Sequence, residues 1–221
     1  MLGALMSGSS VTYYLAIDSL TVGQGVASEF QYVWMAMIAQ AIMNRKAPRF
    51  KTIILMFVLV VGSLLGSGLA DELAGTGIVS VNPQGIEFGF ASAAFYALFL
   101  VLNGLVAPTQ PVVSRTFVMA AAGCVVLLTF SCLRGLGTDM LAASALPGLV
   151  QGLCMVVGPL SLFGIAVRGI SGEAAAVLAA VELPVAVITG AIVLGTPVSP
   201  FMVVGVVLIC LGVSLKLDWQ P

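Results

Sequence analysis

The sequence predicts an all-α membrane protein, a polytopic helical bundle of about eight transmembrane helices built from two inverted copies of one unit, the first copy incomplete. Three observations lead there. Hydrophobic residues are 60% of the 221 and charged residues 8%, with a mean hydropathy of +1.17, whereas an ordinary soluble domain has about a quarter of its residues charged. Eight runs of roughly bilayer length are apolar on all sides, which suits helices and not the alternating strands of a membrane barrel. Finally, shifting the chain by 150 residues lays 16–65 over 166–215 without a gap. Ala36/Ala186, Ala41/Ala191, Ile42/Ile192 and Gly62/Gly212 become identical pairs, and both stretches share one order of helix, short loop, helix and glycine.

Taken in order, the apolar runs are 2–17, 21–43, 52–69, 85–106, 116–133, 143–167, 171–194 and 200–215. Residues 1–69 then form a partial first repeat of three helices, 70–84 an extracytoplasmic linker, and 85–221 a second repeat of five. The chain opens MLGALMSGSS, with no basic residues ahead of the apolar ones, so this run reads as a helix and not as a cleaved signal peptide. Gly62-x-x-x-Gly66 and Gly148-x-x-x-Gly152 are small-residue spacings that let helices approach closely, and packing is their expected role. The last two runs are separated by the breaker cluster Gly195, Thr196, Pro197, Val198, Ser199, Pro200.

Charge sets the expected orientation. With eight spans, one face holds both termini and the loops 44–51, 107–115 and 168–169. It carries Arg45, Lys46, Arg49, Lys51, Arg115, Arg168 and Lys216, while the other carries Arg134 with Asp18, Asp71, Glu72, Glu87 and Asp139. Seven basic residues against one place both termini in the cytoplasm. The loop 44–51 also has the composition to bind anionic lipid, although orientation explains it more simply.

The pattern of a polar turn, an Ala-rich helix with Glu182-x-Pro184, a glycine-containing turn and a last helix with Gly205 and Gly212 resembles the EamA repeat of the drug/metabolite transporter superfamily. ALMSGSSVTYYLAIDSL is similar to the end of that repeat's third helix, and GIEFGFASAAFYALFLVLNGLVA to the opening of its second copy, so the resemblance covers nearly the whole chain. It implies a carrier with two repeats of five helices, of which this chain holds three and five. The Gly-Glu pair that often follows the fourth helix is replaced here by Gly195-Thr196 and Asn44-Arg45, so no role of that glutamate carries over.

Two acids lie inside apolar runs, and each costs about 3 kcal/mol in hydrocarbon. Glu182 is about 16 Å into its helix, near the midplane. Pro184 has no N–H and is expected to free the carbonyl of Ala180, so that acid and carbonyl together accept an ammonium group, a sodium ion or a proton. The alternative is a protonated, structural Glu182 bonded to a neighbouring helix. Glu29 lies with Tyr32 beside the helical face Gln24, Ser28, Gln31 and Met35, and Ser92, Tyr96, Phe99 and Asn103 share one spacing on another helix. Two polar-aromatic faces suggest a shared lumen or, alternatively, hydrogen bonds that hold the bundle together. Trp34, Tyr13 and Tyr14 read equally as an interface belt or a ring around a substrate.

The composition also excludes classes of function. The chain has no histidine, and Cys124, Cys132, Cys154 and Cys210 are scattered without C-x-x-C spacing, so no metal, cofactor or enzymatic site is expected and the cysteines read as reduced and structural. The expected protein is an inner- or plasma-membrane carrier of a small metabolite or drug, working by alternating access. The resemblance adds export of amino acids or related metabolites. Glu182 and Glu29 would bind cargo or the coupling ion, with Gln31, Tyr32, Tyr96 and Asn103 along the route. Its partners are that small molecule and the lipid bilayer, with no nucleic acid; a homodimer or a membrane partner is left open. The alternatives are a non-transporting membrane subunit or scaffold, or an inactive fragment of a ten-helix carrier.

The 150-residue shift gives the runs at 85–133 no partners and puts the partner of the sixth run's start about seven residues before Met1. The first copy therefore reads as lacking two helices, and three helices plus five set the copies opposite in membrane direction. In-frame codons upstream of Met1 encoding two apolar segments are the expected finding; a stop codon close by would leave a genuine eight-helix protein instead.

Overall fold

The computed structural model describes residues 1–76, 82–103, 105, 110–135, 145–150, 152–166, 170–195 and 197–218. Among them every regular element is helical. In chain order these are α1 (Leu2–Ile17), α2 (Val22–Glu29), α3 (Tyr32–Met43), α4 (Phe50–Gly66), α5 (Leu69–Thr76), α6 (Pro83–Asn103) and α7 (Val112–Leu133). Then come α8 (Ala145–Ala166), π-helical over Gly152–Val157, α9 (Gly172–Ala179), α10 (Glu182–Leu194) and α11 (Pro200–Asp218). Residues 106–109, 136–144 and 167–169 lie outside the description, and with them Asp139 and Arg168.

Among the described residues four stretches are long and apolar enough to cross a membrane: Pro83–Asn103, Val112–Leu133, Ala145–Ala166 and Gly172–Leu194. A fifth appears if α4 and α5, bent by 55° at their junction, count as one, and Pro200–Leu215 is a shorter apolar helix. The eight expected runs thus give four or five spans by length and apolarity. The shortfall has a chemical cause in the first runs. Helix α1 has 16 residues, below what crosses about 30 Å of hydrocarbon, and α2 and α3 carry Gln24, Ser28, Glu29 and Gln31 inside an otherwise apolar stretch.

The run at 21–43 is not one uniform helix. Thr21 starts α2 with a capping box, its Oγ1 accepting from Gln24 N–H and Gln24 Oε1 accepting from Thr21 N–H, both at 3.3 Å. At Phe30–Gln31 the ladder tightens to three-residue steps, Gln31 N–H to Ser28 O at 3.4 Å and Val33 N–H to Phe30 O at 3.3 Å. The same events recur 150 residues on. Ser171 Oγ accepts from Ala174 N–H at 3.2 Å, and Ala180–Val181 tighten with Val181 N–H to Leu178 O at 3.2 Å.

The core gathers around α6, whose buried Ser92, Ala93, Ala97, Leu100 and Val101 face α1, α3 and α9. Gly85 and Gly89 admit the neighbours closely, since a methyl on Gly89 would overlap Ser28 Oγ and one on Gly85 would sit 2.6 Å from Leu20 Cγ. Helices α4 and α11 cross antiparallel: Gly66 and Gly62 meet Gly205, and Leu55 and Leu59 meet Gly212. The expectation for Gly62-x-x-x-Gly66 therefore holds. Gly148 and Gly152 instead have nothing within 4 Å of an added methyl among the described residues. The cysteines are free and face outward, so they pack no core.

Part of the expected linker is helix α5, while 77–81 lies outside the description. Its two acids hold the starts of distant helices. Asp71 Oδ2 accepts from Ser199 Oγ at 2.6 Å, ahead of α11, and Glu72 Oε1 accepts from Thr21 Oγ1 at 2.7 Å, ahead of α2. Asp18 and Arg134, 3.9 Å apart, join the ends of α1 and α7. Residues of the basic loop, by contrast, share a cavity with Glu173 at the start of α9.

A methyl at Gly205 would lie 2.6 Å from Gly62 O and collide with Gly66 N. Gly205→Ala is expected to destabilise the fold by about 1–3 kcal/mol through forced separation of α4 and α11. Gly148→Ala should be neutral or stabilising. Thermal unfolding midpoints in detergent check both.

Candidate functional site

Glu29 is the last residue of α2 and Glu182 the first of α10, so each acid flanks one of the two tightened turns. The fold brings these turns together. The two carboxyl groups lie within electrostatic reach of each other, and Tyr13, Tyr32 and Tyr96 each lie within reach of both. Among the described residues every Lys and Arg lies in a loop or close to a helix end, so none of them is placed mid-helix to neutralise the pair. The arrangement has room in its chemistry for a proton or a cationic group.

An aromatic wall closes one side. Tyr32 meets Tyr96 edge-on with centroids 4.7 Å apart, Phe30 lies 5.6 Å from Tyr32, and Phe99 stacks on Tyr96 at 6.0 Å. Tyr32 is 1% exposed, yet its hydroxyl has no hydrogen-bond partner among the described residues. An unpaired buried hydroxyl costs about 1–3 kcal/mol, so it is a feature that asks for a partner. On the other side Ser92 Oγ lies 3.4 Å from Glu29 Oε1 and 3.0 Å from both Ser9 Oγ and Ser9 O. The serine pair thus links α1, α2 and α6 at the acid.

The predicted residues divide into three groups. Glu29, Glu182, Tyr32 and Tyr96 come together. Gln31 is close in sequence but committed to its own helix, with Nε2 donating to Ala27 O at 2.8 Å and Oε1 accepting from Trp34 Nε1 at 2.9 Å. Asn103 is at the far end of α6, where Oδ1 accepts from Arg115 Nη2 at 2.7 Å while its buried Nδ2 has no partner among the described residues.

The carbonyl of Ala180 is not free as expected. Pro184 removes one donor, but the tightened turn advances the ladder by one residue and Leu183 N–H reaches Ala180 O at 3.3 Å. Any ligand at Glu182 therefore finds the carboxyl group without that carbonyl's full capacity. Tyr13 is half-buried beside the acids while Tyr14 is 57% exposed, so the aromatic group of α1 divides between interior and surface. Ser9 and Phe30 belong to the site as well. Ser9 sits two positions from the also buried Ser7 in an apolar helix, which was the available signal.

Glu182 differs from Glu29 in one respect: its residue is exposed. Its equivalent in the 150-residue shift is Tyr32, which α6 covers through Tyr96. Nothing among the described residues covers Glu182 in the same way. Further along α10, Ile188 and Ile192 are exposed too. Among the described residues no group of three or more His, Cys, Asp or Glu could hold a metal ion.

Because its hydroxyl has no partner, Tyr32→Phe should leave folding stability unchanged within about 0.5 kcal/mol or raise it. Denaturant or thermal unfolding in detergent measures this. A loss above about 1 kcal/mol would mean that the hydroxyl holds the fold together.

No protein-family model and no curated protein matches the chain. Solved structures do match it, among them a crystal structure aligned over 97% of this chain and 74% of that one, with 15% identity and a TM-score of 0.74. At that identity the likeness shows a shared helical fold.

Proposed function

We propose that this chain is a membrane carrier that moves a small metabolite or drug by alternating access, with Glu29 and Glu182 as the paired acids that bind a cationic group or the coupling proton. The observation that carries this reading is their convergence, with an unpaired buried Tyr32 hydroxyl, from two separate helices. Intramembrane acids usually face a cavity and mark a pathway. An exporter of amino acids or related metabolites is the cargo class in keeping with the sequence resemblance to EamA-type transporters.

Several features support an inverted pair of units, 1–69 and 85–221. Both tightened turns fall at matching positions, α2 and α9 begin with hydroxyl caps, and the equivalent helices α4 and α11 run antiparallel across their glycines. In carriers of this kind the site lies where the two units meet near the midplane. The charge distribution supports an inner- or plasma-membrane protein with both termini in the cytoplasm.

A second reading has one observation in its favour. The exposure of Glu182, together with the open Gly148 and Gly152, suits a bundle completed by a further helix pair equivalent to α6 and α7. On that reading the isolated chain is a non-transporting subunit or an inactive fragment of a ten-helix carrier.

Flux in proteoliposomes separates the two. Across amino acids, nucleosides and organic cations, with and without a pH gradient, the carrier reading expects selective uptake that Glu182→Gln abolishes while membrane insertion stays intact. Unchanged flux in that variant would remove Glu182 from the mechanism. No flux from well-inserted wild-type protein would favour the incomplete bundle.

A further inference from the structure

At the end of the bundle opposite Asp71 and Glu72, a cavity of about 510 Å³ opens between the end of α3, the start of α4 and the start of α9. Lys46, Arg49 and Lys51 line it against a single acid, Glu173, so its wall is net positive. Lys51 and Glu173 each interact within the protein. Lys46 and Arg49 are exposed, with no side-chain partner among the described residues.

The cavity is built by defined backbone, which argues against a merely solvated basic loop. Helix α3 ends with Lys46 N–H on Ala41 O and Arg45 N–H on Ile42 O, both at 3.1 Å. This closing motif puts Arg45 at φ 52°, a left-handed position where glycine is usual. Gln40 fixes the opposite wall, accepting from Gly172 N–H at 3.1 Å and donating to Asn44 Oδ1 at 3.3 Å. The Gly172 amide is thereby taken, so the cations and not a helix N-terminus supply the attraction.

The surface beside the cavity decides what kind of anion suits it. Phe50, Ile53, Ile54 and Phe57 follow one another along the outer face of α4, all exposed, with Phe50 and Phe57 the most open at 75% and 70%. A free inorganic anion has no use for such a surface, whereas a phospholipid presents a phosphate to the cations and an acyl chain to the apolar helix. We propose that this cavity is a binding site for the phosphate headgroup of one anionic phospholipid, with Lys46 and Arg49 as its ligands and the Phe50–Phe57 face of α4 along its acyl chain. Basic pockets between membrane helices at the cytoplasmic side bind anionic headgroups by this chemistry. The inference rests on the membrane-embedded reading and not on transport, so its test uses no flux.

The experiment is native mass spectrometry of the purified full chain in detergent, titrated with phosphatidylglycerol, phosphatidylcholine or inorganic phosphate. The expected result is a one-to-one phosphatidylglycerol adduct that phosphatidylcholine does not form and inorganic phosphate does not displace. Lys46→Gln/Arg49→Gln should weaken it about thirtyfold, the effect of two basic residues at a lipid surface. Arg134→Gln, at the other end of the bundle, should leave it unchanged. Equal adducts with phosphatidylcholine, displacement by inorganic phosphate, or an unaffected double variant would each overturn the proposal. Should the double variant fail to insert, wild-type protein decides: adduct affinity that does not fall as ionic strength rises is the overturning result.

Discussion

In hydrocarbon a backbone amide or carbonyl without a partner costs several kcal/mol, and the positions of the two acids follow from that constraint. A helix that must redirect side chains cannot simply break. At Phe30–Gln31 and Ala180–Val181 it shortens its hydrogen-bonding step instead, keeping donors such as the N–H groups of Gln31, Val33, Val181 and Leu183 engaged. Each turn changes the angular position of the residues after it, and Glu29 and Glu182 sit at its two edges. Glu29 thus lies partly buried beside a turn whose own N–H groups stay engaged.

The interior they enter is itself prepared by small residues. Serines at 9 and 92 and glycines at 85 and 89 keep α1, α2 and α6 close enough for hydroxyl contact, and the hydroxyl of Ser92 reaches Glu29. Tyrosines line the opposite side, offering apolar ring surface with polar tips. A carboxyl group is therefore tolerated at mid-bundle because its surroundings are partly polar, while each helix keeps an apolar exterior. The exposed Glu182 has less of this shelter than Glu29, which makes the two acids chemically unequal despite their matched settings.

Much of this is legible in the sequence. Helical periodicity places Gln24, Ser28 and Gln31 on one face and Ser92, Tyr96 and Phe99 on another, and these faces are turned inward. Charge per residue and run length identify the apolar helices. The tightened turns are not legible, because neither Phe30–Gln31 nor Ala180–Val181 contains the glycine or proline that marks a turn, and the shift to three-residue steps depends on packing. Helix α5 is hidden by its acids and glycine, which read as a linker. The commitments of Asn103 and Gln31 are hidden too, since Arg115 and Trp34 become their partners only through the fold. Likewise, removing a donor at Pro184 does not by itself say where Ala180 O finds another.

The short helix α5 has a mechanical consequence. Its neighbouring acids, Asp71 and Glu72, hold the hydroxyls of Ser199 and Thr21, which begin helices far apart in the chain. These are charge-assisted hydrogen bonds, stronger than neutral ones. Any tilt of α11 against α2 at this end must stretch at least one of them. Two adjacent carboxylates thus serve as a clasp: the starts of α2 and α11 separate only when it opens.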